Sequence, residues 1–350
     1  MLKPIRNRIA FAKRAAAVKK LNRPVSNNKI LVIQLDAMGD AAILADYINT
    51  LLKTKYEPVV VCRKGLGKFW EKLFPGLHLF EYEMEQGLDS EFCADNFSDE
   101  YEAVISLSVI PNASYIASFP ISSKRISMVS DKIHYKGSRT IFTDIVHVTS
   151  KDHIRVRFDK LFSYLDDYKE TVYDFSLNNV PDRESKKIII HPGAKWIPRR
   201  WPAGNFIELL RKLNKLQIET VLICGPDDED IRRQFADCID DFISLRTLDS
   251  IEDLIDTINS ASIFIGNDSG PVHIANLLHK NTIVLWGPGN YERIRPIGEN
   301  TEILIEDVDC RPCKQYGDKY KCERGENICL QKISVDTVLD RILYFRNKKS

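Results

Sequence analysis

Ile263-Phe264-Ile265-Gly266-Asn267-Asp268-Ser269-Gly270-Pro271-Val272-His273-Ile274-Ala275 passes from an apolar run through a polar turn into a helix-forming segment. The run 263–266 is short and apolar on both faces, as a buried parallel strand requires. Asn267, Asp268 and Ser269 are helix-capping residue types, and Pro271 suits a first helical turn. The same alternation continues on either side. Strands are expected at 187–191, 219–224, 242–245, 262–266 and 282–286, with helices at 203–215, 227–238, 250–260 and 270–279. Strands alternating with helices in this way predict an α/β fold with a parallel, doubly wound sheet.

A second unit of the same kind is expected upstream. Lys29–Leu35 reads as a buried strand, Met38-Gly39-Asp40 as a turn, Ala41–Lys53 as a helix and Pro58–Cys62 as the next strand, which is a βαβ unit. A further helix is expected at 64–74 and a strand at Ala103–Leu107. Shorter β-like pieces lie near 125–129 and 145–148, with a helix near 153–168. Residues 81–102 carry nine acids and no base, which predicts a solvated loop or helix face. The polar, turn-rich stretch 176–186 predicts the interdomain linker. The expected organisation is a basic N-terminal arm (1–24), a Rossmann-like unit (25–176), a second Rossmann-like unit (187–333) and a C-terminal helix (334–350) opened by Ser334.

The chain has 350 residues, a length that suits two domains, and 28% charged residues, which excludes wholesale disorder. No apolar run reaches the ~20 residues of a membrane helix, and the N-terminus lacks an apolar signal core, so a cytoplasmic location is expected. The net charge of +1 hides an asymmetry. Residues 1–35 hold nine bases and no acid, and the remainder holds 41 bases against 49 acids, a net −8. An acidic body disfavours a nucleic-acid partner. Residues 4–22 read as a helix with Ile5, Ile9, Ala12 and Ala16 on one stripe, ringed by bases. The arm is either a contact for an anionic membrane surface or a loosely packed basic tail.

Three strand-end stretches carry candidate chemistry. At Asn267–His273 a helix N-terminus offers free N–H groups and partial positive charge, which suit a phosphate. The alternative is a capped helix with nothing bound, although His273 would add a polar ring to the same crevice. In His191-Pro192-Gly193-Ala194-Lys195-Trp196-Ile197-Pro198-Arg199-Arg200-Trp201-Pro202, cations fixed in a proline-stiffened loop suit a diphosphate. The alternative is a surface loop with its tryptophans in the core. In Gln34–Ala41 a single glycine rules out the glycine-rich dinucleotide and P-loop fingerprints, so a dehydrogenase is disfavoured. That loop places Asp36 and Asp40 at a strand end, where a carboxylate can act as general base or, for Asp40, as a helix N-cap. Cations and a helix end on one unit, with a carboxylate on the other, fit transfer of a sugar from a nucleoside diphosphate to a hydroxyl.

These residues resemble glycosyltransferase family 9, the ADP-heptose:lipopolysaccharide heptosyltransferases. The resemblance runs from about Lys29 to Leu339. It rests on Gly39-Asp40, His191-Pro192-Gly193, Trp201-Pro202, Asn267 to His273 with Ile274-Ala275, Trp286-Gly287-Pro288 and Arg295-Pro296. It implies a GT-B fold, with two Rossmann-like domains facing a cleft, and inverting transfer that needs no catalytic cofactor. It implies Asp40 as base, and donor binding by Lys195, Arg199, Asp268, Ser269, Gly270 and His273. It also implies a heptose donor, ADP-heptose, and a glycolipid acceptor of the lipopolysaccharide core at the inner face of the cytoplasmic membrane. Members often open the first loop with arginine and two serines. Here Gln34, Asp36 and Ala37 stand there, which makes Asp36 the acceptor-side candidate, and Asp46 stands where many members have proline nearby. Two other functions share this architecture: a nucleotide-sugar epimerase and a non-catalytic nucleotide-sugar or lipid binder.

Cys310, Cys313, Cys322 and Cys329 fall within 20 residues with the spacing Cys-x2-Cys-x8-Cys-x6-Cys. That spacing is compatible with a structural zinc site, with reduced packing cysteines, or with disulfides.

Overall fold

The computed structural model describes residues 3–130, 140–177, 187–313 and 322–348, with the backbone alone for 3–9, Gln86 and Ser130. The chain divides into two compact units, Met1–Phe175 and Ser176–Ser350. Most of the stretch expected as linker, 178–186, lies outside the described residues.

The first unit runs α1 (Lys3–Leu21), β1 (Lys29–Gln34), α2 (Met38–Leu51), β2 (Glu57–Arg63), α3 (Gly67–Leu73), β3 (His78–Tyr82), α4 (Ser90–Phe97), β4 (Ala103–Ser106), α5 (Pro111–Ile116), β5 (Arg125–Ser130), β6 (Asp144–Val148) and α6 (Ile154–Phe162). Its six strands are parallel, in the order β3-β2-β1-β4-β5-β6. Ile30 to Ile33 of the central β1 are fully buried, as expected of a strand covered on both faces.

The second unit runs β7 (Ile188–His191), α7 (Ala203–Lys215), β8 (Thr220–Cys224), α8 (Glu229–Phe235), β9 (Ile243–Thr247), α9 (Ile251–Asn259), β10 (Ile263–Asn267), α10 (Gly270–Leu277), β11 (Asn281–Trp286), α11 (Tyr291–Ile294), β12 (Thr301–Ile305), α12 (Ile328–Gln331) and α13 (Val335–Asn347). Its sheet order is β12-β11-β10-β7-β8-β9, again all parallel. Numbered from its own first strand, this is the same 3-2-1-4-5-6 order as in the first unit. Both units are therefore doubly wound α/β sheets of the Rossmann-like kind expected. Phe206, Leu209, Leu210 and Leu213 form the buried stripe of α7 and pack with Val335, Val338, Ile342 and Phe345 of α13 in one core. Ser334 caps α13, its Oγ accepting from the Thr337 N–H at 3.0 Å.

Four expectations change. The helix α2 begins at Met38, so Met38-Gly39-Asp40 is its first turn and not a preceding loop. Two edge strands, β3 and β12, went unread because their half-exposed, mixed composition lacks a buried strand's apolar run. The acidic stretch 81–102 is not a solvated loop throughout: α4, N-capped by Asp89, buries Cys93 and Phe97. The arm is a docked helix and not a loose tail. Among its described side chains Phe11 and Val18 are buried, whereas Ala12 and Ala16 of the expected stripe are exposed; Ile5 and Ile9 of that stripe lie outside the described side chains. The larger side chains capture more apolar burial, and they choose the face. Phe11 packs edge-on against Tyr115, and the Arg14 guanidinium lies 3.7 Å from the Phe119 ring centre while its Nε donates to Ser118 Oγ at 3.1 Å. Among the described residues no helix is long and apolar enough to cross a membrane.

Candidate functional site

In a doubly wound sheet the strand order reverses between the first and fourth strands, and ligands bind beyond the carboxyl ends of that pair. In the second unit the pair is β7 and β10. The strand β10 ends at Asn267, which is fully buried. Its Nδ2 donates to the carbonyl oxygens of Pro192 at 2.8 Å and Gly193 at 3.3 Å, and its Oδ1 accepts from the Trp201 N–H at 2.8 Å. The loop 192–202 is thus tied at both ends to one amide. Within that loop the Arg199 guanidinium stacks on Trp196, 4.5 Å from the ring centre. It stands 3.3 Å from Asp268 Oδ2 and donates to the Asp268 carbonyl at 3.4 Å. Burial pushes the Asp268 carboxyl up to about 6, against the pull of Arg199.

Ser269 occupies the N-cap of α10 in extended conformation. Its side chain makes no cap hydrogen bond, because Oγ donates instead to the Asn267 carbonyl at 3.1 Å. The first N–H groups of α10 are therefore uncapped by a side chain, the state that suits a bound anion. His273 is buried on the first turn of the same helix. The loop after β11 closes on this point: Trp286 Nε1 donates to the Gly289 carbonyl at 3.1 Å, and a Cβ on Gly289 would stand 2.0 Å from Asp268 Oδ2. Glycine is the residue that permits this approach. His191 ends β7, and burial pushes its imidazole down to about 4, so it is neutral at pH 7.

The structure brings Arg199, Asp268, Ser269, Gly270 and His273 together at the start of α10, and it leaves Lys195 exposed on the same loop. Arg200 turns elsewhere. Its Nε donates to the Ala194 carbonyl at 2.9 Å, and its guanidinium pairs with Asp230 and, at 3.9 Å, with Asp228.

In the first unit the corresponding pair is β1 and β4. Ser108, just past β4, donates its Oγ to Asp36 Oδ2 at 2.5 Å and accepts from the Leu35 N–H at 2.7 Å. Asp40 is the third residue of α2. The N-cap is Ala37, and the Asp40 N–H donates to the Ala37 carbonyl at 3.0 Å, so the N-cap reading of Asp40 is overturned. A first-turn carboxylate is favoured by the helix dipole. Gln34 is fully buried, with neither polar side-chain atom hydrogen-bonded among the described residues.

Asp46, on the buried side of α2, lies 3.7 Å from Arg155, and burial pushes its carboxyl up to about 7. A raised carboxyl pKa means that folding favours the protonated form. That contribution is complete below the ordinary value of 3.8 and is lost as pH rises through about 7. Asp46→Asn should therefore raise stability at pH 8 by on the order of 1–2 kcal/mol and give no advantage at pH 4. Calorimetric melting at the two pH values checks this, and equal gains at both would sink it.

The cysteine cluster bears on the three readings left open for it. Among the described residues no three His, Cys, Asp or Glu side chains stand as a group that could hold a metal. The six residues between Cys322 and Cys329 span a turn and the start of α12. Cys322 Sγ donates to the Glu326 carbonyl at 2.9 Å, whereas Cys329 is buried in the second core, and burial pushes its thiol up to about 11. All four are free thiols, so the disulfide reading has no support either.

Sequence reasoning missed Ser108, Gly289 and the clamp formed by Asn267. Asn267 was visible as a capping residue type, but its partners lie 66 to 75 residues away along the chain. Gly289 had a signal in the Trp286-Gly287-Pro288 motif beside it. Ser108 had none.

Comparison with known proteins bears on the same elements. The family model described as glycosyltransferase family 9 (heptosyltransferase) matches residues 99–323. The lipooligosaccharide heptosyltransferase 2 of Campylobacter jejuni is 26% identical over 169 residues, covering 46% of this chain and 52% of that protein. The chain thus spans about half the length of that curated relative. The solved structure of Escherichia coli heptosyltransferase WaaC with ADP superposes with a TM-score of 0.73 at 15% identity, covering 91% of this chain and 99% of that one. WaaC with ADP-2-deoxy-2-fluoro heptose superposes with a TM-score of 0.70 at 15% identity, covering 90% and 99%. With paired doubly wound sheets, a phosphate-suited start to α10 and a family match over nearly two thirds of its residues, this chain belongs to glycosyltransferase family 9, the heptosyltransferases.

Proposed function

We propose that the chain is an inverting glycosyltransferase that moves heptose from ADP-heptose to a hydroxyl of a lipopolysaccharide-core or related glycolipid acceptor. The observation that carries this reading is Arg199 held against Asp268 at the uncapped start of α10. A cation and a helix N-terminus together suit a diphosphate. The relatives' names support heptose, and the ligands named with the solved structures, ADP and ADP-2-deoxy-2-fluoro heptose, support the adenine nucleotide.

The mechanism needs no metal or cofactor. Asp40 takes the proton from the acceptor hydroxyl. The freed oxygen forms a bond to the anomeric carbon as the bond to the diphosphate oxygen breaks, with inversion, and ADP leaves. Arg199, Lys195 and the N–H groups at Ser269 and Gly270 stabilise the charge that grows on the departing diphosphate. Asp268 and His273 hold the donor sugar and phosphates by hydrogen bonds. Asp36, oriented by Ser108, faces the acceptor.

Thermal-shift measurement against ADP, UDP and GDP tests the donor. Stabilisation by ADP is expected, and stabilisation by UDP or GDP alone overturns the heptose assignment. Labelled ADP-heptose then separates transfer from epimerisation: label should leave the nucleotide only when a glycolipid acceptor is present.

The acceptor's membrane is met through α1, at the inner face of the cytoplasmic membrane. With Phe11 and Val18 in the core, Lys13, Lys19 and Lys20 lie exposed. Each base near an anionic surface contributes about 1 kcal/mol. Reversing all three lysines to glutamate should lower co-sedimentation with phosphatidylglycerol vesicles at least about tenfold, with melting unchanged. Equal sedimentation of the variant removes the membrane role. Deleting residues 1–24 is the poorer test, because it strips Phe11 and Val18 from the first core.

A further inference from the structure

We infer that Asn267 is a positioning residue for the donor diphosphate, acting through the shape of the loop 192–202; this rests on the reading above that Arg199 binds that diphosphate. Nothing in the capping role expected from sequence requires the side chain seen here. The cap is Ser269, and the Asn267 amide is turned to the loop instead. One buried side chain uses both ends of its amide: the NH2 holds the Pro192 and Gly193 carbonyls, and the oxygen holds the Trp201 N–H. The stretch between these anchors carries Lys195, Trp196 and Arg199.

The next residue completes the arrangement. Asp268 receives the Arg199 guanidinium on its carbonyl and its carboxylate, while the Trp196 ring also stacks with that guanidinium. Asn267 sets where the loop begins and ends, and Asp268 sets where its cation points. Because both residues close β10 beside β7, loop and helix start are held at the strand pair where ligands bind in such sheets.

Asparagine is the residue type this geometry needs. Aspartate would keep the acceptor for Trp201 but present oxygens to two carbonyls, with no donor. Alanine would leave three backbone groups without their partner. Neither change need unfold the unit. Trp201 is separately anchored, with its Nε1 donating to the Ile333 carbonyl at 3.1 Å and its ring edge-on to Phe206 at 4.9 Å. The loss should therefore fall on the first half of the loop and on Arg199.

The test is calorimetric binding of ADP and of adenosine to wild type, Asn267→Asp, Asn267→Ala, Arg199→Ala and the double variant Asn267→Ala/Arg199→Ala. A positioning residue lowers ADP affinity at least tenfold and leaves adenosine affinity within twofold. Its effect on ADP should shrink in the Arg199→Ala background to what Lys195 still carries, as coupled partners require. Unchanged ADP affinity in both Asn267 variants overturns the inference, as do equal losses for ADP and adenosine or effects that add to those of Arg199→Ala. If Arg199→Ala binds ADP as wild type does, or wild type does not bind ADP, the diphosphate reading itself falls and the inference with it. If Arg199→Ala loses ADP while the Asn267 variants do not, the positioning role alone is refuted.

Discussion

Asp40→Asn should slow heptose transfer by about 100- to 10,000-fold, the span associated with losing a positioned general base. Asparagine keeps the size and the hydrogen-bonding shape of the side chain but accepts no proton at neutral pH. The structure makes the test clean. Asp40 is not the N-cap of α2, since Ala37 holds that place. The helix therefore loses a favourable first-turn charge of about 0.3–1 kcal/mol and no capping bond. Melting should remain cooperative and shift little. ADP affinity should be unchanged, because the Arg199 and Asp268 contacts lie on the other unit. Transfer measured with labelled donor and acceptor, beside calorimetric ADP binding, checks both halves. Wild-type turnover in the folded variant would remove Asp40 as base and leave Asp36 as the carboxylate to examine.

Arg199→Ala should weaken ADP binding about 10- to 100-fold, as expected for one charge-assisted contact to phosphate. Turnover should fall as well, because charge grows on the leaving diphosphate as its bond to the sugar breaks. A second consequence follows from Asp268. That carboxyl is buried, and burial holds its pKa at about 6 even though Arg199 draws it down. Without the guanidinium the carboxyl stays protonated to higher pH. The variant's stability should therefore fall more steeply than wild type as pH rises above 6, and the two should converge in acid. Gly289→Ala offers the same loss without deleting a charge: its Cβ would meet Asp268 Oδ2 and push the carboxylate off Arg199. ADP titrations with both variants decide the matter. Wild-type affinity in Arg199→Ala would show that the phosphates are held elsewhere.

The two-sheet α/β architecture was legible because its signals are local. Buried parallel strands such as Ile30–Ile33 and Ile263–Gly266 are apolar on both faces. The caps Ser250 and Ser334, and Pro271 at the start of α10, sit within a few residues of the helices they begin. The edge strands β3 and β12 escaped for the same reason. A half-exposed strand has no run that distinguishes it from a loop until a neighbour supplies the hydrogen bonds.

The site was legible in part. Asp268, Ser269, Gly270 and His273 are contiguous, and one strand-to-helix turn must bring them together. Arg199 could be named from its loop, but only the family resemblance separated it from Arg200. Both are arginines in the same polar stretch, and their fates differ through Asp268 on one side and Asp228 with Asp230 on the other. Ala12 and Ala16 of α1 were misread as buried because alanine and phenylalanine count alike in a periodic pattern, although their buried areas differ widely.

Element type, element order and the chemistry at each strand end follow from neighbours along the chain, and these were present in the amino acids alone. Which side chains meet was settled by strand order. Asn267 reaches Trp201 across 66 residues, Ser108 reaches Asp36 across 72 and Arg14 reaches Ser118 across 104. Those partners touch because the sheet places its first strand beside its fourth, or because α1 folds back onto α5. A hydrogen bond needs its two atoms within about 3 Å, a condition set by packing and invisible to any local pattern.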